Sequence, residues 1–254
     1  MYIKREIRDG VGILSFNKPE RHNAFDDEGQ AEMLEAFTWA QKSKDFTVVL
    51  MRGEGRSFSS GRDTAKLGVR KPGVQHHEFL KEATENIRTL LDMGKPMIAA
   101  VKGATIGGAA EMAMMCDFRI SSTDLRFSLP EVKHGVCVDQ GGSALAVALV
   151  GPARAKYLLM SGDMLDAKTA YDWGLVDFLV GPEELDAKAL EIAVRIAKNP
   201  PRAVLAAKGL VDDIWSDRVR AAMRRELTNQ LVLFGSEEFA RLREMRLRQS
   251  AAAS

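Results

Sequence analysis

The stretch VKGATIGGAAEMAMMCD, Val101 to Asp117, is small and apolar and carries one carboxylate, Glu111, in its middle. The residues just before it, KPMIAAV (Lys95–Val101), read as a buried strand, and GGAAEMAMMC opens a helix. A strand that enters a helix through a glycine turn leaves peptide N–H groups unpaired at the helix start. Those donors and the helix dipole favour negative charge. Gly107 and Gly108 have no side chains, so a ligand can approach their backbone closely. Glu111 follows Gly108 by about one helical turn. A carboxylate buried among such neighbours is costly unless it is used. Two readings stand: an acid or base beside an oxyanion site, or a carboxylate paired with a core Arg or Lys.

A second glycine-containing turn, GEGRSFSSGRD (Gly53–Asp63), follows the β-branched strand TVVLMR. Two such turns side by side could converge on one oxygen and form an oxyanion hole. Around them, GVGILSF (10–16) and DFRISS (117–122) read as strands. Asp26 to Ser43 and EFLKEATENIRTLLDM (78–93) read as helices. Asp26 or Asp27 is the expected cap of the first. Strands separated by helices predict an α/β core with parallel pairing. After Gly142 the pattern is mostly helical, with helices begun at Pro152 and Pro182 and a break at Asn199-Pro200-Pro201. The expected division is 1–198 as the core and 199–254 as a helical region, with the tail SAAAS expected to fray.

Two more acids stand out. Glu131 lies in FSLPEVKHGV, and Asp139 precedes a glycine pair that opens an apolar helix. Their plainer readings are a solvated loop charge for Glu131 and a helix N-cap for Asp139. Several classes are excluded by pattern. No GxGxxG after a strand and no GxxxxGK[ST] occurs, and the four histidines show no HExxH spacing. The adjacent His76-His77 pair would diverge on a helix, so no metal site is expected. A formal net charge of +1 gives no field to steer nucleic acid or an anionic membrane. No run of uniformly apolar residues reaches the roughly 18 that a span needs. Cys116 and Cys137 are the only cysteines and form no CxxC, which points to a reducing, cytoplasmic setting.

At these residues the sequence resembles the crotonase superfamily, the enoyl-CoA hydratase/isomerase family. The resemblance runs from about Gly10 to Val180 and is carried by NKPERHNAF, GEGRSFSSGRD, KPMIAAVKGATIGGAAEMAMMCD, FSLPEVKHGV and AKTAYDWGLV. It implies a crotonase-like spiral of ββα turns with a helical C-terminal trimerisation region, and a homotrimer or a hexamer made of two trimers. It implies an acyl-CoA thioester as substrate and no metal or other cofactor, coenzyme A being part of the substrate. The two N–H groups that hold the thioester oxygen map to Arg62 and Gly108. The family usually has a small residue at the Arg62 position. Ser60, Gly61, Asp63 and Gly107 join the CoA-binding set, and Arg21, His22 and Ala24 match the loop along the CoA chain. Apolar residues around VQHHEFLKEATENI are expected to close the acyl pocket, with His134 and Cys137 near it.

The family's hydratases place one glutamate three residues after the second oxyanion glycine and another in a Pro-Glu pair twenty residues on; Glu111 and Glu131 occupy these places. Adding water across a 2-enoyl thioester needs a base for the water and a proton for the α-carbon, and two carboxyls in different surroundings can divide those roles. Asp139 departs from the glycine common in hydratases. An aspartate there resembles dienoyl-CoA isomerases, ring-modifying isomerases and aryl-CoA dehalogenases, although the dehalogenases carry an aromatic residue at the Glu131 position. The expected activity is hydration of an enoyl-CoA, with Glu111, Glu131 and Asp139 as catalytic candidates. Double-bond isomerisation through Asp139 is the alternative. A non-catalytic acyl-CoA-binding member is a third reading, which the retained acids oppose.

Overall fold

The computed structural model describes the backbone of residues 1–68 and 76–252 and the side chains of residues 1–68 and 84–248. The pocket-closing segment expected from residue 74 lies outside the described side chains as far as residue 83, and so do the His76-His77 pair and the tail SAAAS.

The chain opens with a hairpin of β1 (Ile3–Arg8) and β2 (Val11–Phe16), paired antiparallel in the register Ile3↔Phe16 to Arg8↔Val11. Its turn is Asp9-Gly10, both at positive φ, which suits the twist of a two-residue hairpin. β1 has no sequence signal of its own, since only Ile3 is buried; it becomes a strand by pairing with β2. Helix α1 (Asp27–Lys42) follows, with the Asp26 side chain accepting from the Gly29 N–H at 3.1 Å. Met33, Ala36, Phe37 and Ala40 face inward at helical spacing.

β3 (Val48–Gly53), α2 (His76–Leu91), β4 (Met97–Val101), β5 (Ala104–Ile106), α3 (Gly108–Met115), β6 (Phe118–Ser122) and β7 (Arg126–Ser128) come next. β2, β3, β4 and β6 are parallel neighbours in a six-stranded sheet of order β1-β2-β3-β4-β6-β9. A smaller sheet has the order β5-β7-β8, with β5 and β7 parallel and β8 antiparallel to β7. The chain twice passes from the large sheet to the small one and on into a helix: β4, β5, α3, then β6, β7, α4 (Gly142–Ser161). This is a spiral of ββα turns. The expectation of parallel pairing fits its middle; the antiparallel pairs lie at its ends.

The remaining elements are β8 (Leu165–Asp166), α5 (Ala167–Trp173), β9 (Phe178–Val180), α6 (Leu185–Ala197), α7 (Pro201–Phe234) and α8 (Glu237–Ala252). All of β4 is buried, as expected of a parallel strand covered on both faces. One face packs against α1 to α4 in the main apolar cluster, and the other against Leu185, Ala189, Ile192 and Ala193 of α6. Val219 and Met223 of α7 belong to the main cluster, so the helical C-terminal region reaches into the core. By length and composition α4 could cross a membrane. Gly151 breaks it at φ 77°, however, and its first turn is bonded to buried carboxylates, which marks it as a core helix.

Candidate active site

The two glycine turns are stitched together. Ser59 N–H donates to Ala104 O at 3.0 Å, and Ile106 N–H donates to Ser59 O at 3.1 Å. Gly61 sits at the contact: a side chain there would lie 2.5 Å from Ile106 O, and its φ of +80° is one that residues with a Cβ rarely adopt. The segment around Phe25 docks alongside. Phe25 N–H donates to Gly61 O at 3.0 Å and Asp63 N–H to Phe25 O at 2.8 Å, which turns the Arg62 N–H away from Phe25. Gly108 is the first residue of α3, so its N–H has no acceptor within the helix. Arg62 and Gly108 line one cavity of about 120 Å³.

All three acids singled out in the sequence line that same cavity. Glu111 stands on the first turn of α3 and is 1 % exposed. Its Oε1 accepts from the N–H groups of Gln140 and Gly142, each at 3.0 Å. It therefore has main-chain donors, and no ion pair to Glu111 occurs among the described residues. Gly142 makes this possible, because a side chain there would lie 2.4 Å from Glu111 Oε1. Glu131 begins the one-turn 3-10 helix Glu131–His134, and its buried Oε2 has no hydrogen-bond partner among the described residues. Asp139 does not cap α4. Glu111 and Glu226 hold that helix start instead, with Glu226 accepting from Gly141 N–H at 2.7 Å, Ser143 N–H at 2.9 Å and the Ser143 hydroxyl at 2.5 Å. Asp139 Oδ2 faces Gln230 Nε2 at 3.5 Å.

Glu111, Glu131 and Asp139 thus share one poorly solvated space with Glu226 close by, and all three are pushed toward the protonated form. Burial, then Glu131, Asp139 and Glu226, hold Glu111 well above the usual carboxylate range, against the Gln140 N–H. Burial, with Asp139 and Glu226, raises Glu131 to about 8, opposed by its own N–H. Burial and Glu226 raise Asp139 to about 7, opposed by the Arg62 guanidinium and Gln230. A carboxyl whose folded pKa exceeds its unfolded value holds its proton more tightly when folded. Its stabilising contribution is full below the unfolded pKa and is lost as pH rises through the folded one. Thermal or denaturant unfolding should therefore show a fall in stability between about pH 4.5 and about pH 8, and the fall should be smaller in Glu131→Gln.

The expected CoA-side residues divide. Ser60 and Gly107 line the cavity, whereas Arg21, His22, Ala24, Gly61 and Asp63 lie on the loops beside it. Arg21 forms an ion pair with Asp63, whose side chain also caps the Thr64–Lys66 turn through Ala65 N–H at 2.9 Å. The His22 ring is held between the Ser57 hydroxyl at 2.9 Å and Arg56 at 3.0 Å. Ala24 N–H donates to Arg21 O at 3.1 Å, closing that loop. The Arg62 side chain binds Gln30 Oε1 at 2.6 Å and pairs with Asp27. His134 and Cys137 line the cavity as well, and burial with four nearby carboxyls pushes the Cys137 thiol up to about 12.

Sequence reasoning missed four residues. Asn23 donates to the carbonyls of Glu54, Ser57 and Phe58 at 2.8 to 3.1 Å and clamps the first loop to the Gly53–Asp63 turn. Gln140, Glu226 and Gln230 complete the floor of the site. A signal for the last two existed: Glu226 and Gln230 fall on the face of α7 that buries Val219, Ala222, Met223 and Phe234.

Comparison with known proteins follows from this geometry. Residues 6–246 match the family model described as enoyl-CoA hydratase/isomerase. A crotonyl-CoA hydratase from Syntrophomonas wolfei is 33% identical over 87% of this chain and 85% of its own length. A 1,2-epoxyphenylacetyl-CoA isomerase from Escherichia coli is 31% identical over 78% of this chain and 77% of its own. The crystal structure of an enoyl-CoA hydratase/isomerase from Xanthobacter autotrophicus superposes with a TM-score of 0.88 at 30% identity, covering 99% of this chain and 96% of that one.

Proposed function

The chain belongs to the enoyl-CoA hydratase/isomerase family, and from that premise we propose that it hydrates a 2-enoyl-CoA thioester to the 3-hydroxyacyl-CoA. The observation that carries this reading is the meeting of Glu111 and Glu131 with Arg62 and Gly108 around one cavity. The N–H groups of Arg62 and Gly108 hold the thioester oxygen and stabilise the enolate that forms on it. Losing one such donor typically costs about 3 kcal/mol in the barrier. Glu131, with a pKa raised to about 8, carries a proton at neutral pH and delivers it to the α-carbon. Glu111 in its ionised form takes a proton from the attacking water, and the Gln140 and Gly142 N–H groups on its Oε1 offset part of the burial and carboxyl repulsion that hold it toward the protonated form. Its Oε1 accepts two N–H donors that favour a negative charge, whereas Glu131 Oε2 has none among the described residues. The reaction uses no cofactor beyond the coenzyme A of the substrate.

A cavity of about 120 Å³ suits a short acyl group, well below the size of pockets that hold drug-sized ligands. Leu210, Val211 and Ile214 of α7 expose 73%, 59% and 75% of their surface, a patch that supports assembly as a homotrimer or as a hexamer of two trimers. The free thiols Cys116 and Cys137 fit a reducing cytoplasm. The test of the activity is loss of enoyl-thioester absorbance on adding purified enzyme to 2-enoyl-CoAs of several chain lengths. No bleaching with any of them refutes it.

Asp139 favours a second reading, double-bond isomerisation, because its carboxyl faces the same cavity and burial raises it to about 7, where it can both give and take a proton. On that reading Asp139→Asn lowers the isomerisation rate of a 3-enoyl- or dienoyl-CoA by about 10²–10⁴-fold, followed by NMR of the product. An unchanged rate removes it.

A further inference from the structure

Gln140 has no counterpart in the roles assigned so far. It lines the cavity, and its N–H donates to Glu111 Oε1, which fixes its backbone at the floor of the site. Its side chain makes no hydrogen bond to another described residue, and Oε1 is buried without a partner. A buried amide oxygen left without a partner is costly and uncommon in a native site. The position of the side chain supplies a reason. A side chain at residue 108 would meet Gln140 Nε2 at 2.7 Å, ahead of Cδ at 3.4 Å and Oε1 at 3.6 Å. The amino end of the carboxamide therefore rests on Gly108, in the space that glycine leaves open beside its own N–H.

We infer that the Gln140 carboxamide is a third donor of the oxyanion site, its Nε2–H joining the Arg62 and Gly108 N–H groups on the thioester oxygen. The inference rests on the reading that this oxygen binds at Gly108. Charge on that oxygen grows as the enolate forms, so a preorganised amide dipole acts on the transition state more than on the bound ester. The opposite orientation would put a carbonyl oxygen against a developing anion. An N–H donor is the end that this chemistry accepts.

The test uses two variants of similar size without donors, Gln140→Leu and Gln140→Met. Both are expected to lower kcat for hydration by about 10²–10³-fold while the affinity for coenzyme A itself is kept. The discriminating readout is the infrared carbonyl band of bound butyryl-CoA labelled with ¹³C at the thioester carbon, a saturated ester that is not hydrated. Binding to the unaltered enzyme should lower its frequency, and either variant should return part of that shift. A wild-type band that does not move refutes the oxyanion reading itself. A band lowered equally in wild type and variants refutes the role of Gln140, whatever happens to kcat. Should either variant fold poorly, the side-chain ¹⁵N–¹H signals of Gln140 in the unaltered enzyme decide: they shift on adding butyryl-CoA if the amide meets the carbonyl, and their staying in place overturns the assignment.

Discussion

Glu131→Gln is expected to lower kcat for enoyl-CoA hydration by about 10²–10⁴-fold with little change in substrate affinity. The amide has the shape of the carboxyl but cannot deliver a proton to the α-carbon. The two half-reactions should separate in this variant. Exchange of the α-proton of butyryl-CoA with deuterated solvent needs only the oxyanion site and the group that serves the α-carbon, and it should be lost along with hydration. Proton NMR of the ester in deuterated buffer measures it. Retained exchange would assign the α-carbon to another of the clustered acids, such as Asp139, which lines the same cavity. The fold should survive, because Glu131 Oε2 makes no bond to any described residue that the amide could break.

Glu111→Gln should reduce hydration by a comparable 10²–10⁴-fold, roughly the worth of a general base, but should leave α-proton exchange largely in place. The reason is the proposed division of labour, in which Glu111 serves the water and not the α-carbon. Glutamine is the informative replacement. Its carbonyl oxygen can still accept from the Gln140 and Gly142 N–H groups, so the start of α4 stays tied to α3. Alanine would instead leave two buried N–H groups unpaired, at about 1–3 kcal/mol each, and would confuse lost chemistry with lost structure. Parallel rate measurements and thermal unfolding of the two variants check this. Equal loss of exchange and hydration in Glu111→Gln would mean that both glutamates act on the same proton, and the assignment of roles would fall.

The tertiary arrangement also explains why these carboxyls can be changed singly and still be read. Glu226, from a helix that begins about ninety residues after Glu111 on the chain, holds the first turn of α4 through three bonds. The turn that carries Asp139 and Gln140 is thus braced from two sides. Gln230 adds a bond from the Cys137 N–H at 3.0 Å and faces Asp139 with its amide. Charge removed from Glu131 eases Glu111, and charge removed from Asp139 eases both glutamates. The pH–rate profile of Asp139→Asn should therefore shift toward lower pH for the two glutamates that remain.

Local pattern was enough to place Glu111 beside the Gly108 turn. A buried strand, a glycine turn and a helix with one carboxylate put Glu111 about a turn beyond the Gly108 amide, because helical pitch and the unpaired N–H groups at a helix start are properties of neighbouring residues. The ββα order of the middle of the chain is legible for the same reason. Other features rest on distant segments being brought together. β1 is a strand only because β2 offers it partners. Asp139 is turned from capping a helix to facing the cavity because Glu111 and Glu226 already occupy the N–H groups it would have bound. No spacing in the sequence tells which of several acids wins that competition. Burial and mutual repulsion then raise their pKa values, and those forces exist only once the chain has closed around them.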